Sequence, residues 1–206
     1  ILVMEATYAA RDHAERSEEE ARLVDRVQEV RARGGVSLIP SFASGRGQDI
    51  IKILHDSDPS LNVHYDGMGT RVSKIWNSHS EYLRDPSGFE KALRWSKRVK
   101  GKSDRFKALD ADVIVTTSGM LDGGPAIWYL NRLRHDSANA ILLTGYQAPG
   151  SGGRSLVDTG IIPIYNRKTR VELEIDRFDL SNHAGRSELV EFALKCKPRY
   201  LVQFHT

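Results

Sequence analysis

Three glycine-rich loops contain the residues whose types and spacing are best suited to binding a ligand. The loop at residues 117–125 follows an apolar run and ends on Pro125, a residue favoured in the first turn of a helix. Residues 40–49 and 145–154 repeat this arrangement. Backbone N–H groups and the positive end of a helix dipole would meet at each loop, and both bind phosphate. Ordinary strand-to-helix turns have the same composition, so the loops alone leave phosphate binding open.

The loops lie in a chain where apolar strands alternate with helices. Short apolar runs predict strands at residues 1–4, 36–39, 61–65, 113–115, 140–144 and 200–204. The clearest helix is predicted at residues 17–33, with glutamates in its first turn and two glycines after its end. This alternation predicts an α/β fold, a mostly parallel sheet sandwiched by helices, in which the three loops converge at the carboxyl ends of strands. Residues 171–178 alternate less clearly and predict a strand of a different kind of sheet.

Basic residues are concentrated in one segment, residues 94–107. Its cations face a single acid, Asp104, and Trp95 and Phe106 lie among them. The cations are Arg94, Lys97, Arg98, Lys100, Lys102, Arg105 and Lys107. A surface that binds a polyanion has this composition, because each neutralised phosphate releases a counterion. A solvated loop has it too, and both interpretations stay open at this point.

Composition limits the class of protein. With 206 residues, of which 40% are hydrophobic and 28% charged, the chain suits one domain, or a domain plus a fragment. No apolar run is long enough to span a bilayer, and the single cysteine, Cys196, indicates a reducing compartment. We therefore expect a soluble, cytoplasmic protein without membrane contacts. The chain starts at Ile1 without an initiator methionine, which indicates a segment of a longer gene product.

An ordered series of short motifs resembles the β-CASP proteins, the RNA- and DNA-processing branch of the metallo-β-lactamase superfamily. The series is Glu5-Ala-Thr-Tyr8, Pro40-Ser-Phe-Ala43 with Arg46 and Gln48, Asp66-Gly-Met68, Thr117-Ser-Gly-Met-Leu121 with Gly123-Gly-Pro125, Gly145-Tyr-Gln147 with Gly150 and Gly153-Arg154, Ser181-Asn-His-Ala184 and Val202-Gln-Phe-His205. It is most similar to archaeal members related to the nuclease subunit of the cleavage and polyadenylation specificity factor, and more distantly to bacterial RNase J.

The resemblance implies three segments, because the β-CASP domain of this family is inserted into a metallo-β-lactamase domain. Residues 1–8 would be a border strand of the metallo-β-lactamase domain, with the acidic motif A. Residues 9–176 would be the β-CASP domain, and residues 177–206 the return segment with motifs B and C. The resemblance also implies two zinc ions per full-length chain, held mostly by ligands upstream of residue 1.

The border motifs carry catalytic residues in this family. Glu5 matches motif A, His183 motif B and His205 motif C. In a two-zinc phosphodiesterase a metal-activated hydroxide attacks phosphorus, and the departing oxygen needs a proton. By resemblance, His183 supplies this proton, Glu5 orients His183, and His205 is a zinc ligand. Histidine in motif C accompanies the RNA-processing members, so single-stranded RNA is the expected substrate.

The resemblance also implies a set of residues that line the RNA-binding groove. They are Arg46, Gln48, Ser118, Gly119, Gly123, Gly124, Tyr146, Gly150, Ser151 and Arg154. Arginine can bind a phosphate with two hydrogen bonds, and tyrosine can stack on a base. For Gln48 and Tyr146, packing at the seam between the two domains is an equally open role.

We therefore expect the RNA-binding clamp domain of a zinc-dependent ribonuclease, of the type that acts in mRNA 3′-end processing or RNA decay. As an isolated fragment it is expected to be inactive. Expected partners are single-stranded RNA, the remainder of its own metallo-β-lactamase domain and a second copy in a homodimer. The alternative is a non-catalytic nucleic-acid-binding scaffold subunit. A nucleotide-binding domain of another type is disfavoured, because no phosphate-binding motif of the Gly-x-x-x-x-Gly-Lys or Gly-x-Gly-x-x-Gly type follows the first strand.

Overall fold

The computed structural model describes residues 1–205; Thr206, the last residue of the predicted return segment, lies outside this range. The strands are β1 (Leu2–Glu5), β2 (Ser37–Pro40), β3 (Val63–Asp66), β4 (Lys97–Arg98), β5 (Val113–Thr116), β6 (Ala140–Leu143), β7 (Ile161–Ile164), β8 (Arg167–Arg170), β9 (Glu174–Arg177) and β10 (Leu201–Phe204). The helices are α1 (Arg16–Ala32), α2 (Arg46–Ser57), α3 (Gly69–Ser78), α4 (Pro86–Trp95), α5 (Lys102–Ala108), α6 (Gly124–Leu133), α7 (Gly152–Thr159) and α8 (Arg186–Cys196). Across residues 1–205, none of these helices has the length and apolar character needed to cross a membrane.

A six-stranded sheet forms the centre of the fold. Its strand order is β4-β3-β5-β2-β6-β9, and every neighbouring pair is parallel. The mostly parallel α/β class predicted from the sequence is therefore confirmed. Because all six strands point the same way, the loops after β2, β3, β5 and β6 leave from one edge of the sheet.

Helices cover both faces of this sheet, and successive strand residues contribute to two separate cores. Ile39 and Val115 pack in the core that includes residues of α1, α2 and α4. Leu38 and Ile114 pack in the core formed with α5, α6 and α7. Full burial of such a side chain stabilises a fold by about 1.5–3 kcal/mol. The two cores therefore hold the strand ends, and the loops that follow them, in place.

The segment predicted as a strand of a different kind of sheet belongs to the main sheet instead. Its ordered part, β9, pairs in parallel with β6 at the sheet edge. The alternation of its residues is obscured because Glu174 and Asp176 form ion pairs with Arg26 of α1. Arg33 also pairs with Glu174, at 3.0 Å. The prediction is wrong because acids that bind the arginines of a covering helix look like solvent-facing residues in the sequence.

Two other segments depart from the predicted elements. Residues 94–107 are not a loop, since they include the end of α4, the edge strand β4 and the helix α5. The strands β7 and β8 form an antiparallel hairpin that the sequence did not predict. Its turn residues Tyr165 and Asn166 have positive φ angles of 49° and 63°. Glycine, the usual signal for such a turn, is missing at both positions.

The first and last strands form a separate two-stranded sheet, which we call the border sheet. β1 and β10 are parallel, with Leu2 opposite Leu201 and Glu5 opposite Phe204. All four residues of β10 are exposed. The border sheet therefore brings together two segments from opposite ends of the chain, and much of its surface is uncovered.

Candidate functional site

The border sheet brings together the three residues that match motifs A, B and C. One potential ligand atom from each of Glu5, His183 and His205 lies within 4.8 Å of the other two. Glu5 ends β1 opposite Phe204, so His205, the next residue, lies beside it. His183 Nδ1 is 3.4 Å from Glu5 Oε2, and the centroids of the two imidazole rings are 5.5 Å apart. The structure thus forms one cluster from these residues, and their catalytic roles stay predictions.

Thr7, to which the sequence analysis assigned no role, connects Glu5 with His205. Its hydroxyl donates to Glu5 Oε2 at 2.7 Å, and its backbone N–H donates to the same oxygen at 2.9 Å. The Thr7 hydroxyl, then its N–H, and more weakly His183 hold the pKa of the Glu5 carboxyl below its usual value. The carboxylate is therefore ionised at neutral pH and can only accept hydrogen bonds.

The same hydroxyl determines which nitrogen of His205 is free. Thr7 Oγ1 lies 2.8 Å from His205 Nδ1 and 3.1 Å from the His205 carbonyl oxygen. Its single hydrogen is committed to Glu5 by the shorter, charge-assisted bond. His205 Nδ1 must then carry the hydrogen and donate it to Thr7. This tautomer leaves the other ring nitrogen, Nε2, with a lone pair that can bind a metal.

The loop that carries His183 is held by residues from the first part of the chain. His13 Nε2 lies 2.8 Å from the His183 carbonyl oxygen, and the Tyr8 ring stacks on the His183 ring at 6.3 Å. Asp179 accepts a hydrogen bond from the Tyr8 hydroxyl at 3.4 Å and lies 3.6 Å from His13 Nδ1. The sequence analysis did not identify these supporting roles, because the contacts form only when the two ends of the chain meet.

The three glycine loops meet at the carboxyl edge of the six-stranded sheet, as predicted. Gly119 approaches the backbone so closely that an added Cβ would lie 3.0 Å from the nitrogen of Phe42. Gln147 Nε2 donates to the Gly119 carbonyl at 3.0 Å. The Gly153 N–H donates to the Met120 carbonyl at 2.7 Å. The loops that lead into α2, α6 and α7 are therefore neighbours, and the helix dipoles favour an anion at this edge.

Six of the ten residues predicted to bind RNA reach solvent. Gly124, Tyr146, Gly150 and Arg154 are exposed, and Ser118 and Gly123 are half-buried. Tyr146 is 65% exposed, which leaves its ring accessible to a base. Arg154 pairs with Asp158 at 2.8 Å within α7. An exposed ion pair of this kind contributes at most about 1 kcal/mol, so Arg154 can exchange Asp158 for a phosphate.

The other four predicted RNA-binding residues are buried. They are Arg46, Gln48, Gly119 and Ser151. Gln48 Nε2 donates to Ser73 Oγ at 3.0 Å. Arg46 Nη2 donates to Asn182 Oδ1 at 3.4 Å, and Asn182 directly precedes His183. In this structure the side chains of Arg46 and Gln48 therefore connect loops, and contact of either with RNA would require these bonds to open.

The fold and the cluster together define a class: a parallel α/β domain with a small border sheet, where a carboxylate and a histidine at the strand ends meet a second histidine from the loop before α8. A family model described as the Beta-Casp domain matches residues 48–156, more than half of the chain. The chain therefore belongs to the Beta-Casp family.

Archaeal proteins, two of them named as RNases, are similar to almost the whole of this chain. "Probable RNase MJ4" of Methanocaldococcus jannaschii is 39% identical over 100% of the chain. "RNase aCSPSF2" of Saccharolobus solfataricus is 38% identical over 96% of the chain. "Transcription termination factor FttA" of Methanocaldococcus jannaschii is 35% identical over 96% of the chain. The chain spans 49%, 40% and 35% of these relatives, less than half of each. The resemblance found in the sequence is confirmed.

Proposed function

We propose that this chain is the RNA-binding clamp of a zinc-dependent ribonuclease that hydrolyses phosphodiester bonds. The observation that carries the proposal is the cluster of Glu5, His183 and His205 beside the convergent glycine loops. The chain belongs to a family of RNA-processing nucleases, and two of its relatives are named as RNases. This likeness supports the same reaction here.

His205 fits the role of a zinc ligand. Imidazole is a ligand type that zinc accepts, and Thr7 leaves Nε2 of His205 free. His205 would hold one zinc ion together with ligands from the part of the protein that this chain does not span. When bound, zinc supplies an activated water as the nucleophile and stabilises charge on the phosphate.

His183, oriented by Glu5, would donate a proton to the departing oxygen. Glu5 Oε2, 3.4 Å from His183 Nδ1, favours a hydrogen on Nδ1. In the imidazolium form the second proton is on Nε2, and this proton would pass to the departing oxygen. A general acid of this kind contributes about 10²–10⁴-fold to a rate. Tyr8 and His13 keep the His183 loop in position.

The border sheet and α8 expose an apolar surface that a further segment of the protein would cover. Its residues are Val3, Val190, Phe192, Leu194, Tyr200, Leu201, Val202 and Phe204. Eight large apolar side chains exposed on and beside these elements favour an interface. We infer that the remainder of the metallo-β-lactamase domain covers it, because the relatives are more than twice as long as this chain. The isolated chain is then inactive, since it holds only part of the zinc site.

A second candidate is an RNA-binding factor that does not need to cut. The relatives named "Transcription termination factor FttA" favour it. In that case the exposed groove residues would bind RNA, and the cluster would not support hydrolysis.

The whole protein that contains this chain provides the test. We expect bound zinc, measured by atomic emission after dialysis, and cleavage of a labelled single-stranded RNA that a chelator abolishes and zinc restores. The 206-residue chain alone should not cut. A whole protein that binds RNA, contains no zinc and leaves the RNA intact would contradict the ribonuclease and support the RNA-binding factor.

A further inference from the structure

A pocket of about 260 Å³ lies between α3, α4 and the ends of β3 and β4. Its lining residues include Tyr65, Ser73, Lys74, Arg94, Ser96 and Arg98, none of which belongs to the Glu5–His183–His205 cluster. Pockets for drug-sized ligands have volumes of roughly 300–1,000 Å³. This α3–α4 pocket therefore suits a smaller group, such as one phosphate with its sugar.

Cations outnumber acids in the lining of the α3–α4 pocket. The single lining acid, Glu90, pairs with Arg94 at 2.6 Å. Within residues 1–205, Lys74 and Arg98 have no carboxylate partner within 4.0 Å. Both side chains are exposed at the pocket. The pocket therefore presents two unpaired positive charges to a ligand.

A buried tyrosine forms part of the wall without offering its hydroxyl to a ligand. Tyr65 is only 2% exposed. Its hydroxyl lies 3.5 Å from Ser73 Oγ and packs so closely against α3 that a Cβ added at Gly69 would lie 2.2 Å from it. Tyr65 therefore shapes the pocket, and the charges that face a ligand are those of Lys74 and Arg98.

The pocket lies on the same edge of the sheet as the glycine loops and is connected to the catalytic cluster. Its wall residue Ser73 accepts a hydrogen bond from Gln48, on α2. The first residue of α2, Arg46, contacts Asn182, the neighbour of His183. Arg98 pairs in register with Tyr65 near the carboxyl end of β3. An RNA strand that runs from the cluster along this edge would pass the glycine loops before it reaches the pocket.

We propose that the α3–α4 pocket binds a backbone phosphate of the single-stranded RNA, outside the bond that is cut. This inference rests on the proposed function, because the cluster fixes one part of the strand. Arg98 and Lys74 would contact the phosphate, and Tyr65 would form the floor beneath it. An RNA strand fits better than an acidic protein segment, because further cations follow Arg98 in the chain. Lys100, Lys102 and Lys107 have no carboxylate partner among residues 1–205, whereas Arg105 pairs with Asp66 at 2.6 Å.

The test measures RNA affinity as a function of salt in the whole protein, with His183→Ala present to prevent cutting. Variants Arg98→Ala and Lys74→Ala are compared with Lys91→Ala, an exposed lysine of α4 that does not line the pocket. Loss of one phosphate contact lowers the slope of log affinity against log salt by about 0.7 for a single strand. At 0.15 M salt this corresponds to a dissociation constant about fourfold higher. Unchanged melting curves show that the variants fold.

The outcomes distinguish a failure of the pocket proposal from a failure of the proposed ribonuclease function. If Arg98→Ala matches Lys91→Ala in slope and affinity, the pocket proposal is overturned even though the parent protein cuts RNA. If the parent protein cuts nothing but Arg98→Ala still weakens RNA binding with the lower slope, the pocket proposal stands without the nuclease.

Inorganic phosphate is the second probe. Displacement of RNA by equimolar phosphate would assign the pocket to a small anion and overturn the RNA assignment.

Discussion

The six-stranded sheet and the border sheet differ in how completely their side chains are buried within this chain. Ile114 and Leu38 in the large sheet are fully buried between two layers of helices. Val202 and Phe204 in the border sheet are 48% and 54% exposed. The six-stranded sheet holds the glycine loops, whereas the ends of the border sheet hold Glu5 and His205 beside His183. The loops of the six-stranded sheet are thus supported within this chain, whereas the cluster lies on a sheet whose outer residues are uncovered.

The largest stability effect should come from the large sheet. Ile114→Ala removes a fully buried side chain and should lower the free energy of unfolding by about 2–5 kcal/mol. Val202→Ala in the border sheet should change it by no more than about 0.5 kcal/mol in the 206-residue chain, because the side chain is half exposed. Urea denaturation of both variants measures the difference. Equal costs would show that the border sheet is as well supported as the large one.

In the border sheet, replacement of Thr7 should weaken zinc binding. Thr7→Val removes the hydroxyl that holds Glu5 and sets the tautomer of His205. Loss of such a supporting bond weakens a metal site by about 10–100-fold. Zinc affinity of the whole protein, measured by competition with a chromophoric chelator, should fall by that factor, and Thr7→Ser should restore it. Nitrogen NMR of His205 in the metal-free protein should show hydrogen on Nδ1 only when a hydroxyl is present at position 7. Equal zinc affinity of Thr7→Val and Thr7→Ser would contradict this role.

Removal of one helix cap beside a glycine loop should lower the free energy of unfolding by less than Ile114→Ala does. Ser151 caps α7, since its hydroxyl oxygen accepts from the Arg154 N–H at 3.2 Å. Ser151→Ala should therefore cost about 1 kcal/mol, measured by thermal unfolding. Ser137→Ala, at an exposed loop residue, is the control. A cost no larger than that of the control would show that the cap does not hold the groove.

The junction between the two regions should respond weakly to pH. Glu19 accepts from the Asp179 N–H at 2.7 Å and pairs with Arg22. The hydrogen bonds from Arg22, and then the one from Asp179, lower the pKa of the Glu19 carboxyl. A lowered pKa stabilises the fold above the unfolded value of about 4.3, and this contribution is lost as pH falls through the folded value. The stability difference between wild type and Glu19→Gln, about 1 kcal/mol or less at pH 7, should therefore shrink towards pH 3. If the difference in free energy of unfolding between wild type and Glu19→Gln stays constant with pH, this role of Glu19 is contradicted. Glu18→Gln, at an exposed position of α1, is the control.

The sequence predicted most of the large sheet, because its strands are short apolar runs bounded by glycine loops. The strands at residues 36–39, 113–115 and 140–144 are each confirmed within one residue. β9 was misassigned because its acids pair with Arg26 of α1 and with Arg33, which follows α1, and no local pattern reveals these contacts. The β7–β8 hairpin was missed because its turn contains no glycine.

For the site, the sequence identified residues but not their surroundings. The resemblance named Glu5, His183 and His205, and the structure places them together. The link between Thr7 and His205 depends on the pairing of β1 with β10, which the sequence alone does not show. Arg46 was expected in the groove as a charged side chain, yet it is buried beside Asn182.

The most direct test of the account is the cleavage rate of the whole protein with His183 replaced. His183→Ala should lower single-turnover cleavage of a labelled single-stranded RNA by about 10²–10⁴-fold, while bound zinc and RNA affinity stay at wild-type levels. His135→Ala, at a histidine with a 60% exposed side chain outside the cluster, is the matched control and should cut normally. If His183→Ala cuts RNA as fast as His135→Ala, His183 is not the proton donor, and the catalytic centre proposed for the border sheet is wrong.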